Sequence, residues 1–144
     1  MNKLVSRALL PALGAIVLWP AIFFPHPRPA LAANDSVQVM EVTAKKYEYS
    51  PEPIHVKSGS KIQLKITAVD HDHGFSISTV PDGSNSNSSD GLVFNSPQEC
   101  WQLKKGETTT IEFLAQTPGT YSFKCCHVCG LGHRGMKGQL VVDR

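Results

Sequence analysis

From Ser36 to Arg144 the chain sustains no apolar period of 3.6 residues. What recurs is short alternation cut by Gly and Pro. Lys61–Ala68 is the clearest instance: Ile62, Leu64 and Ile66 fall on one face and Lys61, Gln63 and Lys65 on the other. Ser36–Thr43 reads as a strand with Val37, Val39 and Val42 on its apolar side. Ile54–Lys57 follows the breaks at Pro51 and Pro53, and Ser58-Gly59-Ser60 is a turn. Gly74–Thr79, Thr108–Leu114, Thr120–Cys125 and Gln139–Asp143 complete the set, with Tyr121, Phe123 and Cys125 on one side of their strand. Asp82–Gly91 (DGSNSNSSDG) has no residue with which to build a core and reads as a surface loop. About seven or eight short strands with Gly/Pro turns predict an all-β fold, an antiparallel β-sandwich of Greek-key type.

The first 32 residues do not belong to that pattern. Lys3 and Arg7 precede an apolar run, Ala8–Phe24, and a proline-rich stretch ends in Ala30-Leu31-Ala32, which has the form of a cleavage site. This is the layout of a secretory signal peptide over residues 1–32, with the folded domain over 33–144. An uncleaved membrane anchor is the alternative, although Pro11 and Pro20 interrupt a run short for a span of roughly 20 residues. Removing 1–32 takes away Lys3, Arg7 and Arg28. That leaves 11 basic residues against 12 acidic ones, a net charge of −1, so the positive balance of the whole chain comes from the leader. No basic run with interleaved aromatics points to nucleic acid. The expected location is the periplasm or another exported compartment.

Export places Cys100, Cys125, Cys126 and Cys129 where free thiols do not persist unless they pair or hold a metal. Near the C-terminus the donors read Cys125-x3-Cys129-x3-His133-x2-Met136. Thiolate, imidazole and thioether are the donors that soft, redox-active copper selects. Gly130, Gly132 and Gly135 let one loop bend around them. A further donor must come from elsewhere, and His73, in Asp70-His-Asp-His-Gly-Phe75, stands between two predicted strands where loops gather at one pole of a sandwich. Zinc also takes Cys and His, but the methionine leans toward copper. No Ser-His-Asp or acid–base pair stands out, so the chain reads as a carrier and not an enzyme by itself.

These residues carry a resemblance. The domain resembles the cupredoxins, and within them the CuA domain of cytochrome c oxidase subunit II, whose C-terminal loop has the form C-x3-C-x3-H-x2-M. Asp70, His73, Gly74 and Phe75 match the family's upstream histidine segment, and the similarity runs from about Val37 to Val142. It implies a binuclear copper site. Cys125 and Cys129 would bridge two ions, His73 and His133 would bind one each, Met136 would complete one ion, and the backbone carbonyl of His127 would weakly bind the other.

The chain departs from the family at His127, where a carboxylate, amide or aromatic residue is usual, and at Cys126. His71 also offers an alternative to His73. A mononuclear, mixed or Cu(I)-storing site therefore stays open, with the His127 imidazole as a further possible donor. The transmembrane helix pair usual before this domain is not found, so the chain reads as a free-standing or singly anchored relative. Cys100 and Cys126, left once a metal takes the other two thiols, are expected to form a disulfide. His55 reads as structural or exposed, and Trp101 and Tyr121 as core aromatics. The implied function is one-electron transfer between a donor such as cytochrome c and a terminal oxidase or reductase, in which this chain could be the electron-accepting component. The alternative is a copper chaperone or Cu(I) store of the cell envelope.

Overall fold

In the computed structural model, residues 37–84 and 91–144 are described. The leader expected over residues 1–32, and most of the loop expected at 82–91, lie outside them. Ten strands follow in order: β1 (Val37–Lys45), β2 (Glu48–Ser50), β3 (Ile54–Lys57), β4 (Lys61–Ala68), β5 (His73–Ile77), β6 (Leu92–Phe94), β7 (Trp101–Leu103), β8 (Thr108–Ala115), β9 (Gly119–Lys124) and β10 (Lys137–Asp143). They form two five-stranded sheets, β2-β1-β4-β8-β6 and β3-β10-β9-β5-β7. The all-β sandwich expected from the alternation is therefore present. No helix among the described residues is long and apolar enough to cross a membrane.

The core is the sum of the inward faces. Ile62, Leu64 and Ile66 of β4 meet Ile111 and Phe113 of β8 within their sheet, and Ile54, Val56, Phe75, Tyr121, Phe123, Leu140 and Val142 line the other sheet. Burying each such side chain contributes about 1.5–3 kcal/mol. Trp101 and Tyr121 are buried, and His55 is exposed with its Nδ1 3.1 Å from Asp143 Oδ2.

Two expectations are corrected. The sheets are mixed, not purely antiparallel, because β1 runs parallel to β4 and β3 parallel to β10. The face of β1 is also reversed over its first half: Val37 and Val39 are exposed, while Val42 and Ala44 are buried and Met40 packs against the core. The parallel ladder sets this, pairing Met40 with Leu64, Val42 with Ile66 and Ala44 with Ala68, so the even positions share the inward face of β4.

Candidate metal centre

The ligand loop is the connection between two paired strands. Lys124, the last residue of β9, lies opposite Lys137, the first of β10. Residues 125–136 are thus closed at their base, where Cys125 N–H donates to Met136 O at 2.9 Å. A single 3-10 turn, His133–Gly135, folds the far half back, with Met136 N–H bonded to His133 O at 3.1 Å. On the other side of β9 runs β5, with Ser76 opposite Lys124. His73, the first residue of β5, is thereby carried to the same pole as the loop.

The donors converge. Ligand atoms of His73, Cys125 and Cys129, all three buried, lie within 4.8 Å of one another. Cys129 Sγ is the hub, at 3.8 Å from Cys125 Sγ, 3.8 Å from Met136 Sδ and 3.9 Å from His133 Nδ1. Met136 is fully buried and His133 partly so. Cys125 Sγ lies 3.1 Å from the carbonyl oxygen of His127 and accepts the Gly74 N–H at 3.4 Å. The imidazole of His127 is partly buried and does not join the three clustered side chains. His71 is exposed, with Nδ1 2.6 Å from Asp70 O, and stands outside the cluster.

His73 is prepared for a metal by what surrounds it. Its Nε2 is 2.8 Å from Asp70 Oδ1, and its Nδ1 is buried with no hydrogen-bond partner. Desolvation raises the Asp70 carboxyl, but hydrogen bonds from His73 and the N–H groups of Lys46 and His71 outweigh it and hold it at about 2. An ionised carboxylate accepts the Nε2 proton, which leaves a lone pair on Nδ1. A buried polar atom without a partner is costly unless something fills the place, and a soft cation among two sulfurs and an imidazole does so. The residues present therefore fit copper. Asp70→Ala should lower copper affinity roughly 10- to 100-fold while leaving the fold intact, which titration against a competing chelator, with circular dichroism as control, would measure.

Burial raises the Cys129 thiol to about 11, assisted by the hydrogen bond and charge of Cys125 and the charge of Asp70. Metal loading must displace that proton. Burial, then the charge of Cys125, pushes the Tyr49 phenol far up, so it stays protonated and donates to Gly74 O. Tyr49 and Tyr47 were not singled out by the sequence reading. The Tyr47 ring packs against the ligand loop, where a methyl on Gly132 would collide with it. The Tyr-Glu-Tyr alternation at 47–49 was the signal available, split between a turn and a strand, β2, too short to show a period. The expected disulfide is present, Cys100 to Cys126, with Cα atoms 5.9 Å apart, and Cys125 and Cys129 are free.

A family model for a cupredoxin-like domain matches residues 12–142. The chain belongs to the cupredoxins. This cupredoxin is 35% identical over 101 residues to cytochrome c oxidase subunit 2 of Thermus thermophilus, an alignment covering 70% of this chain and 62% of that relative. A second Thermus thermophilus sequence of that subunit matches at 35% identity over 50% of its length. The cupredoxin thus spans between half and two thirds of these relatives. Its fold is shared with the periplasmic domain of subunit II of cytochrome oxidase from Bradyrhizobium japonicum, at TM-score 0.57 and 15% identity, covering 74% of this chain and 84% of that one. It is also shared with auracyanin from Roseiflexus castenholzii, at TM-score 0.53 and 22% identity, covering 76% of this chain and 99% of that one.

Proposed function

We propose that the chain is an exported one-electron carrier whose copper centre is binuclear and CuA-like, working between a donor such as a cytochrome c and a terminal oxidase or reductase. The observation that carries the reading is the pairing of two free thiols at 3.8 Å among further donors: a His73 ring nitrogen within 4.8 Å of both, the His127 carbonyl beside Cys125, and His133 and Met136 beside Cys129. A single-copper site of the kind found in blue copper proteins would use one thiolate and leave the other buried without a role. Copper bound there would supply reversible uptake and release of one electron.

The chain's own part is to hold the donors still. The loop is closed at its base by β9 and β10, and His73 starts a strand paired on both sides, with β7 and β9. Such a frame leaves little to rearrange when charge arrives or departs. Val128 and Leu131 of the same loop are exposed, offering a small apolar contact for a redox partner. The storage or delivery reading draws on Cys126 as a third thiolate and on the His127 imidazole. With Cys126 in a disulfide, the third thiolate is lost to it. Periplasmic placement accords with the leader and with that disulfide, and membrane attachment requires the leader to stay uncleaved.

Copper reconstitution tests the proposal. Intense thiolate-to-copper absorption, a reversible one-electron wave and seven hyperfine lines in electron paramagnetic resonance are the expected result. Four lines would return the centre to a single copper, and a colourless, redox-silent adduct would remove electron transfer altogether.

A further inference from the structure

The ligand loop carries a covalent tie that its donor set does not require. Cys126, the neighbour of Cys125, is bonded to Cys100, which immediately precedes β7. β7 pairs with β5, placing Leu103 opposite His73 and Gln102 opposite Gly74. The disulfide therefore links the segment bearing the thiols to the strand beside the one bearing the buried imidazole.

Gly74 sits at the junction of the two. A Cβ on it would come within 2.7 Å of Cys126 Sγ, 2.8 Å of the His127 backbone nitrogen and 3.0 Å of Cys100 Sγ. Its N–H donates to Cys125 Sγ at 3.4 Å, and its carbonyl accepts from Tyr49 Oη. One backbone unit thus touches the disulfide, the thiol and the segment that presents the His127 carbonyl, and it directly follows His73. Only a glycine admits this approach.

We propose, resting on the copper-centre reading above, that the Cys100–Cys126 disulfide is a positioning strut for the metal centre. It presses residues 126–127 onto Gly74 and so sets the distance from the Cys125 thiol to His73 and the aim of the His127 carbonyl. Cys100, Cys126 and Gly74 are positioning residues that act through Cys125, His127 and His73. A cross-link serving only the fold would constrain the unfolded chain and would leave the coordination of a bound ion unchanged.

The test compares the full-length, copper-reconstituted wild type with the Cys100→Ala/Cys126→Ala double variant, in which no stray thiol is left to bind copper. At a temperature well below both unfolding midpoints, the double variant should show altered hyperfine couplings and a shifted thiolate-to-copper band. It should also lose copper to excess EDTA roughly 10- to 100-fold faster. Gly74→Ala, with the disulfide intact, should move the spectrum too, and it decides the matter if the double variant fails to fold. A spectrum and copper-loss rate equal to wild type in these variants would overturn the strut, whatever happens to the midpoint. The number of lines in the wild type tests the binuclear reading separately, because the strut is judged on the difference between proteins whether the lines are seven or four. A wild type that takes up no copper would overturn both.

Discussion

Copper-loaded Cys129→Ser is expected to lack the seven-line spectrum that the binuclear proposal requires and to show altered thiolate-to-copper absorption, with an affinity drop exceeding the roughly 10- to 100-fold that removal of an outer-shell partner costs. Cys129 Sγ lies 3.8–3.9 Å from Cys125 Sγ, Met136 Sδ and His133 Nδ1, so every donor of the loop's far half depends on it. A serine oxygen is nearly isosteric but is a hard, weakly acidic donor that soft copper does not favour. What remains is a single thiolate, Cys125, with His73, His133 and Met136, a set suited to one ion. Met136→Leu serves as the contrast. It keeps the volume of a fully buried side chain at a cost below about 1.5 kcal/mol and removes only a weak thioether, so the potential should shift while the line count stays. If Cys129→Ser retains the wild-type line count, the two thiols do not share the metal and the binuclear reading falls.

How much of this could be read from the chain depends on how local each signal is. β4 was legible because strict alternation between a solvated and a buried face leaves one assignment for Ile62, Leu64 and Ile66. β1 was half legible. Its existence follows from composition, but its inward face follows from a parallel register with β4, a pairing between segments that are not neighbours in sequence. Val37 and Val39, the most apolar residues of its first half, therefore ended up outside. β2, β6 and β7 are three residues each and show no period to detect.

The metal centre was more legible than the fold around it, because donor type and spacing are properties of one twelve-residue loop, 125–136, plus Asp70 and His73. The burial of His73 and its unpartnered Nδ1 were beyond sequence reasoning, since they depend on β5 lying between β7 and β9. The disulfide was expected only as a remainder, since bridging requires an approach that β5 and β7 provide. Tyr49 was missed entirely, because its role is a hydrogen bond to a backbone carbonyl 25 positions away.

Phe123→Ala is expected to cost about 3–5 kcal/mol of stability in the metal-free protein, a fall of roughly 12–20 °C in unfolding midpoint at about 4 °C per kcal/mol for a domain of this size. Phe123 is 2% exposed, and its ring centroid lies 5.1 Å from that of Phe75 and 5.2 Å from that of Tyr49. Tyr49 and Phe75 meet edge to face at 5.7 Å, closing a triangle of rings. Each ring is tied to the metal centre: Phe75 follows His73 by two residues, Phe123 precedes Cys125 by two, and Tyr49 bonds to Gly74. Removing one corner of that triangle should therefore loosen the donors as well as the core. Ile111→Ala supplies the control. Ile111 is as buried, pairs with Leu64 in the sheet opposite Phe123, and should cost about 2–5 kcal/mol, yet its strand, β8, carries none of the three rings. Copper loss should accelerate in Phe123→Ala and stay near wild type in Ile111→Ala when both are measured well below their midpoints. Equal rates in the two variants would mean that the aromatic triangle supports the centre only through overall stability, and that the donors are held by the loop and the strands alone.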